Sequence, residues 1–404
     1  MTGTGEMRWF EALQDVLDDS HLWQPGDLAA RVGAAVSRLG LRTTIWLVDY
    51  EQVALRALPE TGRATPEPLP VDGSLAGRAF TRVTALRGDG HRWWVPMVDG
   101  TDRIGVVEVV ADGDRDDEFV RRCELLAGLI GHLIVTTTVR GDHLDVVRRS
   151  QPMSTAAELL WNMLPPLTAS CGRAVISAVL QPCYDVGGDG FDYALDGDTA
   201  YVAILDAVGK GVTAGVACAV ALAAIRAARR AGGGLAEQAR AADDALTEHF
   251  PEVRFVTAVL AELRLDTGRI RYLNAGHPAP LLLRSGRLVR ELDAGRRLPL
   301  GLADPRAQVG EEALEPDDRL LLYTDGVTEA RTPEGEFFGV DRLVGLVERS
   351  AATRLPAPET LRRLSHAVLE HQGGPPDDDA TLLLVQWSAA AAFDTLPTTK
   401  AADV

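Results

Sequence analysis

Cysteine is scarce in this chain of 404 residues. Its thiols, Cys123, Cys171, Cys183 and Cys218, stand in no CxxC and no Cys/His ligand spacing. That excludes a cysteine-based zinc site and a disulfide framework, and makes them buried or incidental thiols of a reducing compartment. Positive charge is also short: 41 Lys and Arg face 58 Asp and Glu, a net charge of −17. Nucleic acid is a poor partner for such a chain, because binding a polyanion needs clustered cations. No apolar run approaches the length of a membrane span. The N-terminus, Met1-Thr-Gly-Thr-Gly-Glu-Met-Arg8, lacks the basic region and apolar stretch of a secretion signal. The expectation is a cytoplasmic protein without a membrane anchor. A nucleotide-binding P-loop is missing too. Gly209-Lys210 has Ile204 where the first glycine belongs and Gly211 where Ser or Thr is needed. Gly187-Gly-Asp-Gly-Phe191 has Gly190 where a nucleotide cyclase phrase has an acid.

What the chain does have is aspartate beside glycine at the ends of apolar segments. Asp189 lies in Tyr184-Asp-Val-Gly-Gly-Asp-Gly-Phe-Asp192, and Asp206 in Ile204-Leu-Asp-Ala-Val-Gly-Lys-Gly211. Asp325 follows an apolar strand in Tyr323-Thr-Asp-Gly-Val-Thr-Glu329, and Asp378 precedes one in Pro376-Asp-Asp-Asp-Ala-Thr381. Any one such pair is an ordinary turn signal. Recurrence at strand ends over one domain-sized stretch points instead to hard divalent cations, which prefer carboxylate oxygen.

The length suits two or three domains. Residues 1–19 form an N-terminal segment, helical from about residue 9, and helical spacing of apolar residues continues to Leu39, before Gly40. Thr43–Asp49 and Val53–Leu58 read as strands, Pro59–Pro70 as a proline-rich loop, and Ser74–Phe80 as a short helix. Trp93–Val98 and Arg103–Val110 flank the turn Asp99-Gly100. Alternation along that strand puts one of Trp93 and Trp94 in the core. Glu118–Val139 is a second amphipathic helix. In the connector 139–166, Thr155-Ala-Ala-Glu158 reads as a capping box opening a helix over Ala156–Leu164. From Arg173 strands and helices mix without βαβ alternation, which makes the fold α+β. Helices are expected over Thr213–Ala231, Leu235–His249, Leu343–Val347 and Glu359–His371. Strands are expected over Ala174–Leu180, Tyr201–Leu205, Phe255–Leu265, Arg269–Asn274, Pro280–Arg284, Arg319–Tyr323 and Thr381–Trp387. The tail, 389–404, has no strand or helix pattern and reads as disordered.

The ordered series Val186-Gly-Gly-Asp189, Leu205-Asp-Ala-Val-Gly-Lys-Gly211, Asn274-Ala-Gly-His-Pro-Ala-Pro280, Pro299-Leu-Gly301, Tyr323-Thr-Asp-Gly-Val-Thr-Glu-Ala330 and Asp377-Asp-Asp-Ala-Thr381 resembles the SpoIIE/RsbU-type branch of the metal-dependent (PPM) serine/threonine phosphatases. Order and spacing match from about Leu159 to Gln386. The resemblance implies an α-β-β-α sandwich of two antiparallel sheets over residues 167–388. It also implies two Mn2+ or Mg2+ ions and hydrolysis of phosphoserine or phosphothreonine on a regulatory protein. In this branch that substrate is an anti-sigma-factor antagonist, and the pathway is signal transduction to sigma-factor control. By the same resemblance Asp206 bridges both ions, the Ala207 carbonyl is a further ligand, and Asp189, Asp325 and Asp378 complete the set. A one-residue shift would exchange Asp378 with Asp377 or Asp379. Asp192 matches a second aspartate of the first motif. His277 either shapes the site or packs its loop. Val208 stands where the wider superfamily often has a histidine, and the role of nearby Lys210 is open.

Residues 20–138 are similar in pattern to a GAF domain, including Val71-Asp-Gly-Ser-Leu-Ala-Gly77. That implies an α/β sensor which takes an unidentified small ligand or mediates homodimerisation. The helix before the phosphatase-like region then either transmits a signal or is a packed linker. The competing reading is a catalytically inactive phosphatase-like interaction module under a ligand-sensing domain.

Overall fold

The computed structural model describes residues 3–402 except 19, 61, 113–115, 182–183, 186, 251–254, 306, 374–377 and 394. Cys183, Val186 and Asp377 thus lie outside the described residues. The chain divides into two compact units, Met1–Ser150 with Asp394–Val404, and Gln151–Phe393.

The first unit is built on a seven-stranded sheet. Its order is Thr398–Ala402, Thr84–Arg87, Arg92–Asp99, Asp102–Ala111, Leu41–Val48, Ala54–Ala57, Leu69–Pro70. Successive residues of a strand face opposite sides. Ile45, Leu47 and Trp93 join one core with the helices Leu28–Ser37 and Asp117–Thr138, whereas Trp46, Val48 and Trp94 join another under the helix Leu75–Arg82. Both tryptophans are therefore buried, at 5% and 6% exposure. The expectation of one core tryptophan fails because both faces of this sheet are covered. Ser74 caps the Leu75–Arg82 helix by accepting the Gly77 N–H at 2.9 Å. Glycine is required at 77: a Cβ there would stand 1.8 Å from the Val71 carbonyl oxygen.

In the second unit two six-stranded sheets stack. One runs Arg296–Arg297, Arg269–Ala275, Val256–Arg264, Thr199–Ala207, Asp189–Asp196, with Gly310–Ala313 also on Arg269–Ala275. The other runs Arg287–Glu291, Leu281–Arg284, Arg319–Tyr323, Ala380–Trp387, Ala174–Gln181, Thr168–Cys171. Pairing is antiparallel apart from Arg296–Arg297. Phe191, Ile204, Val259, Leu322 and Leu383 belong to the core between the sheets. The alternate residues Leu205 and Ala203 pack outward against the helices Val212–Arg230 and Leu235–His249. On the far side Leu321 and Leu384 meet Val340–Ala352 and Ala357–Gln372. The layering is α-β-β-α, as the sequence led one to expect.

Further expectations need correcting. Val212–Arg230 does reach the length and apolarity of a membrane span over its 19 residues. Its alanines are apolar enough to pass that test, but Ala214, Ala217, Ala221 and Leu222 are buried against the sheet and its neighbouring helix. The tail reads as disordered, yet Ala389–Phe393 is a helix and Thr398–Ala402 is a strand parallel to Thr84–Arg87. Alanine favours helix, and Ser388 Oγ accepts the Ala391 N–H at 3.2 Å. The edge of Thr84–Arg87 offers unpaired backbone groups, a partner invisible in a one-dimensional pattern. Finally, the cap of Thr155–Met163 is Ser154, whose hydroxyl accepts from Ala157 N at 3.2 Å, in place of Thr155. The helix His143–Arg148, in the expected connector, falls in the first unit.

On the Ala357–Gln372 helix Arg362 and Glu359 form an ion pair at 2.9 Å, each side chain 1% exposed. Removing one partner strands a buried charge, so Glu359→Ala is expected to lower unfolding stability by about 3–5 kcal/mol in a denaturant titration. In the first unit Gly77→Ala should cost about 1–3 kcal/mol, the range for forcing an added group into a packed site, read as a lower denaturant midpoint.

Candidate functional site

Strand register explains how distant aspartates meet. Asp189 opens its strand and lies opposite Asp206, and Asp206 lies opposite Thr257. Two residues further along, Phe191, Ile204 and Val259 fill the core between the sheets. By period-two alternation Asp189, Asp206 and Thr257 end the inward face of their sheet. The facing sheet ends in the same way: Thr324 lies two residues after Leu322, and Thr381 two before Leu383. Both hydroxyls donate to Asp189 Oδ2 at 2.7 Å. Thr381 N donates to Thr324 Oγ1 at 2.9 Å, so that oxygen has its own donor while its proton goes to the carboxylate. Asp189 thereby ties the two sheets together at one end of their core.

Asp379 does the corresponding work for the loop. Its Oδ2 accepts the N–H groups of Gly187 at 2.5 Å, Gly188 at 2.7 Å and Asp189 at 3.2 Å. Consecutive amides aimed at one oxygen form an anion-binding nest. Small residues are needed around it. A Cβ on Gly326 would lie 1.8 Å from the Asp379 carbonyl oxygen. The sequence placed Asp378 in the ligand set and left Asp379 exchangeable with it by a one-residue shift. Once the pairing of Ala380–Trp387 fixes Thr381 and Leu383 as inward, alternation turns residue 379 inward as well.

Asp325 begins the short helix Asp325–Thr328 directly after Arg319–Tyr323. Asp378 precedes Ala380–Trp387. These two exposed acids line a cleft of about 240 Å³ with Lys210, Gly326, Glu329, Arg331 and Gln372. The register and this cleft bring the expected acids to one mouth. Asp206 is pushed up to about 7 by burial, then by the charges of Asp325, Asp378 and Asp379. Burial drives Asp189 well above the usual carboxylate range; Asp206 and Asp379 add to this, and the threonine hydroxyls oppose it. Asp325 is raised by burial and by Glu329 and Asp378. Asp379 is raised by burial despite its three amide donors.

Other candidates have different places. Asp192 is buried in an ion-paired cluster, with Arg226 at 2.7 Å and Arg229 at 2.8 Å, and serves structure. His277 packs its loop, and its ring also reaches Thr257. Its N–H and carbonyl bond the Asn274 amide at 2.8 and 2.9 Å, fixing the loop, and its Nδ1 lies 2.8 Å from Thr257 Oγ1 beside Asp206. Burial pushes His277 down to about 3, so the ring is neutral at ordinary pH. Val208 is exposed, and Cys218 is fully buried behind Gly190.

Among the described residues no group of three His, Cys, Asp or Glu is close enough to hold a metal ion as the side chains stand. The chemistry of the donors nevertheless fits a hard dication. They are carboxylate oxygens, they repel one another, and two of them open into a cleft. The Ala207 carbonyl stands beside them, 2.6 Å from where a Gly188 Cβ would be.

Comparison with known proteins bears on this geometry. Residues 196–388 match the sequence model of the family described as Stage II sporulation protein E (SpoIIE). The chain is 25% identical over 338 residues to Protein IcfG of Synechocystis, covering 73% of this chain and 51% of that protein. It is also 25% identical over 213 residues to Phosphoserine phosphatase RsbU of Bacillus subtilis, covering 52% and 62%. The chain thus spans roughly half to three-fifths of the length of these relatives. Among solved structures, the SiaA-PP2C domain of Pseudomonas aeruginosa aligns with a TM-score of 0.49 and 24% identity over 58% of this chain and 94% of that one. Acid-bearing strand ends at the mouth of two stacked sheets coincide with the match over residues 196–388, so the second unit contains a stretch similar to the SpoIIE family and to the phosphatase RsbU.

Proposed function

We propose that the chain is a metal-dependent protein phosphatase that hydrolyses phosphoserine or phosphothreonine on a regulatory protein. The observation that carries this is the mouth itself, where Asp189, Asp206, Asp325 and Asp378 gather although Asp206 is pushed up to about 7 by burial and then by the charges of Asp325, Asp378 and Asp379. Carboxylates crowded at such a cost suit compensation by bound dications. In this reading Asp206 and the Ala207 carbonyl, with Asp325 and Asp378, hold two Mn2+ or Mg2+ ions, and Asp189 supports them directly or through water. Two such ions would activate water and neutralise the phosphoryl oxygens during in-line displacement. The protein's own groups do the positioning. Thr324 and Thr381 fix Asp189, and Asp379 fixes the Gly187–Asp189 backbone. Cys218 is too buried to be a nucleophile, which favours direct attack by water.

The substrate class draws support from the relative named as a phosphoserine phosphatase. A phosphorylated anti-sigma-factor antagonist is the partner we infer for such a domain. The first unit would act as a GAF-like regulator, through a small ligand or through homodimerisation, in a cytoplasmic signalling protein.

Purified protein should hydrolyse p-nitrophenyl phosphate or a phosphoserine protein with Mn2+ or Mg2+ and fall silent in EDTA. Asp206→Asn should lower kcat by at least about a hundredfold. Silence under every metal condition, also with residues 1–150 removed to relieve inhibition, would leave the interaction-module reading in its place.

Proton linkage offers a second check. Asp206 rises from 3.8 to about 7 on folding. Its contribution to metal-free stability is therefore complete below about pH 4 and is lost as pH rises through 7. In EDTA the Tm should fall over that window, Mn2+ should reverse the fall near pH 7, and Asp206→Asn should flatten it. A Tm in EDTA that climbed from pH 5 to 7.5 and did not respond to the substitution would contradict this.

A further inference from the structure

Arg331 is an arginine left over. Elsewhere in the second unit arginines are spent on carboxylates, as in Arg297 with Asp243, Arg284 with Asp318 and Arg362 with Glu359. Arg331 lines the cleft that holds Asp325, Asp378 and Glu329. Yet its guanidinium has no hydrogen-bond or ion-pair partner among the described residues. Its contact is the ring of Phe337, whose centroid lies 4.4 Å away.

That stacking is built by a hairpin. Residues 331 and 337 pair as an isolated bridge, Thr332 N donates to Glu336 O at 3.0 Å, and Phe338 N donates to Ala330 O at 2.8 Å. Phe338 is buried and anchors the hairpin, while Phe337 is 48% exposed. An exposed phenyl ring is a cost that this chain accepts here, and the ring orients a cation at the rim of the cleft. Stacking leaves the edge of the guanidinium, with its fork of N–H donors, open to a ligand. A planar fork suits the oxygens of a phosphoryl group, which it can engage with two parallel hydrogen bonds.

We propose that Arg331, oriented by Phe337, is the phosphoryl-binding group of this cleft. It would grip the substrate's phosphate beside the acids and release inorganic phosphate after hydrolysis. This rests on the phosphatase reading for its substrate, but binding can be measured without turnover.

The test is calorimetric titration of inorganic phosphate into the full chain with saturating Mn2+, for the wild type, Arg331→Met, Arg331→Lys and Phe337→Leu. Arg331→Met should raise the phosphate dissociation constant about ten- to a hundredfold, the loss expected for a charge-assisted hydrogen bond. Arg331→Lys should recover part of it, because charge returns without the fork. Phe337→Leu should weaken binding less than Arg331→Met. Mn2+ affinity and Tm should stay at wild-type values, which a merely structural role would not require. With a phosphoserine peptide as substrate, KM should rise in Arg331→Met more than kcat falls. Equal phosphate affinity in wild type and Arg331→Met would overturn the inference, as would a wild type that binds no phosphate with Mn2+ present. Loss of Mn2+ affinity in Arg331→Met would overturn it too, by tracing the effect to the metal ligands. Arg331-dependent phosphate binding without hydrolysis of any phosphoserine substrate would support the subsite and sink the phosphatase reading instead.

Discussion

Carboxylates do not gather without a reason, and the mutual repulsion of Asp189, Asp206, Asp325, Asp378 and Asp379 is the constraint around which the second unit is organised. Burial raises the cost of charge for Asp189 most of all, at 2% exposure. The fold meets that cost with donors instead of cations at the innermost positions. Thr324 and Thr381 serve Asp189, and the backbone of residues 187–189 serves Asp379. Each donor comes from across the interface between the sheets. The acids therefore fix how the sheets meet as well as lining what opens between them.

This separates the acids into two kinds. Asp189 and Asp379 are buried and hydrogen-bonded from several sides, so their geometry is set by the fold. Asp325 and Asp378 are exposed to the cleft, and Asp206 stands between the two kinds, half-buried, with no hydrogen-bond donor among the described residues to offset its neighbours. Charge left uncompensated by protein sits where an ion can enter, and compensated charge sits where none can. The proposed two-ion reading accounts for that gradient. A scaffold with no bound cation gains nothing from it, since apolar residues at the same strand ends would be cheaper.

Much of this was legible in the sequence because it follows short-range rules. The helix Leu235–His249 and the strand Arg319–Tyr323 have the expected bounds, since apolar periodicity and Gly punctuation define them locally. The acids were legible as strand-end residues next to glycine. Their ranking was not. Asp378 and Asp379 are neighbours of identical chemistry, and only the pairing of Ala380–Trp387 with its sheet decides which one turns inward to the Gly187–Asp189 amides. The same limit hid the burial of both Trp93 and Trp94, because a sheet covered on two faces obeys no in-and-out alternation of burial. It also hid the strand Thr398–Ala402, whose partner is more than three hundred residues earlier in the chain.

Glycine shows why the motif phrases read as strongly as they do. Gly187 and Gly188 turn their amides to Asp379, and Gly326 lets the Asp325 turn pass against the Asp379 carbonyl. Gly188 has no room for a Cβ beside the Ala207 carbonyl oxygen. Each glycine therefore stands where one acid-bearing segment crosses another. Close approach of backbones is what the Asp-Gly phrases encode, and the phrases recur because every pair of acidic strand ends needs its own crossing. The turn chemistry and the acid chemistry are one requirement: carboxylates can be brought this near only where the chains that carry them have no side chains in the way.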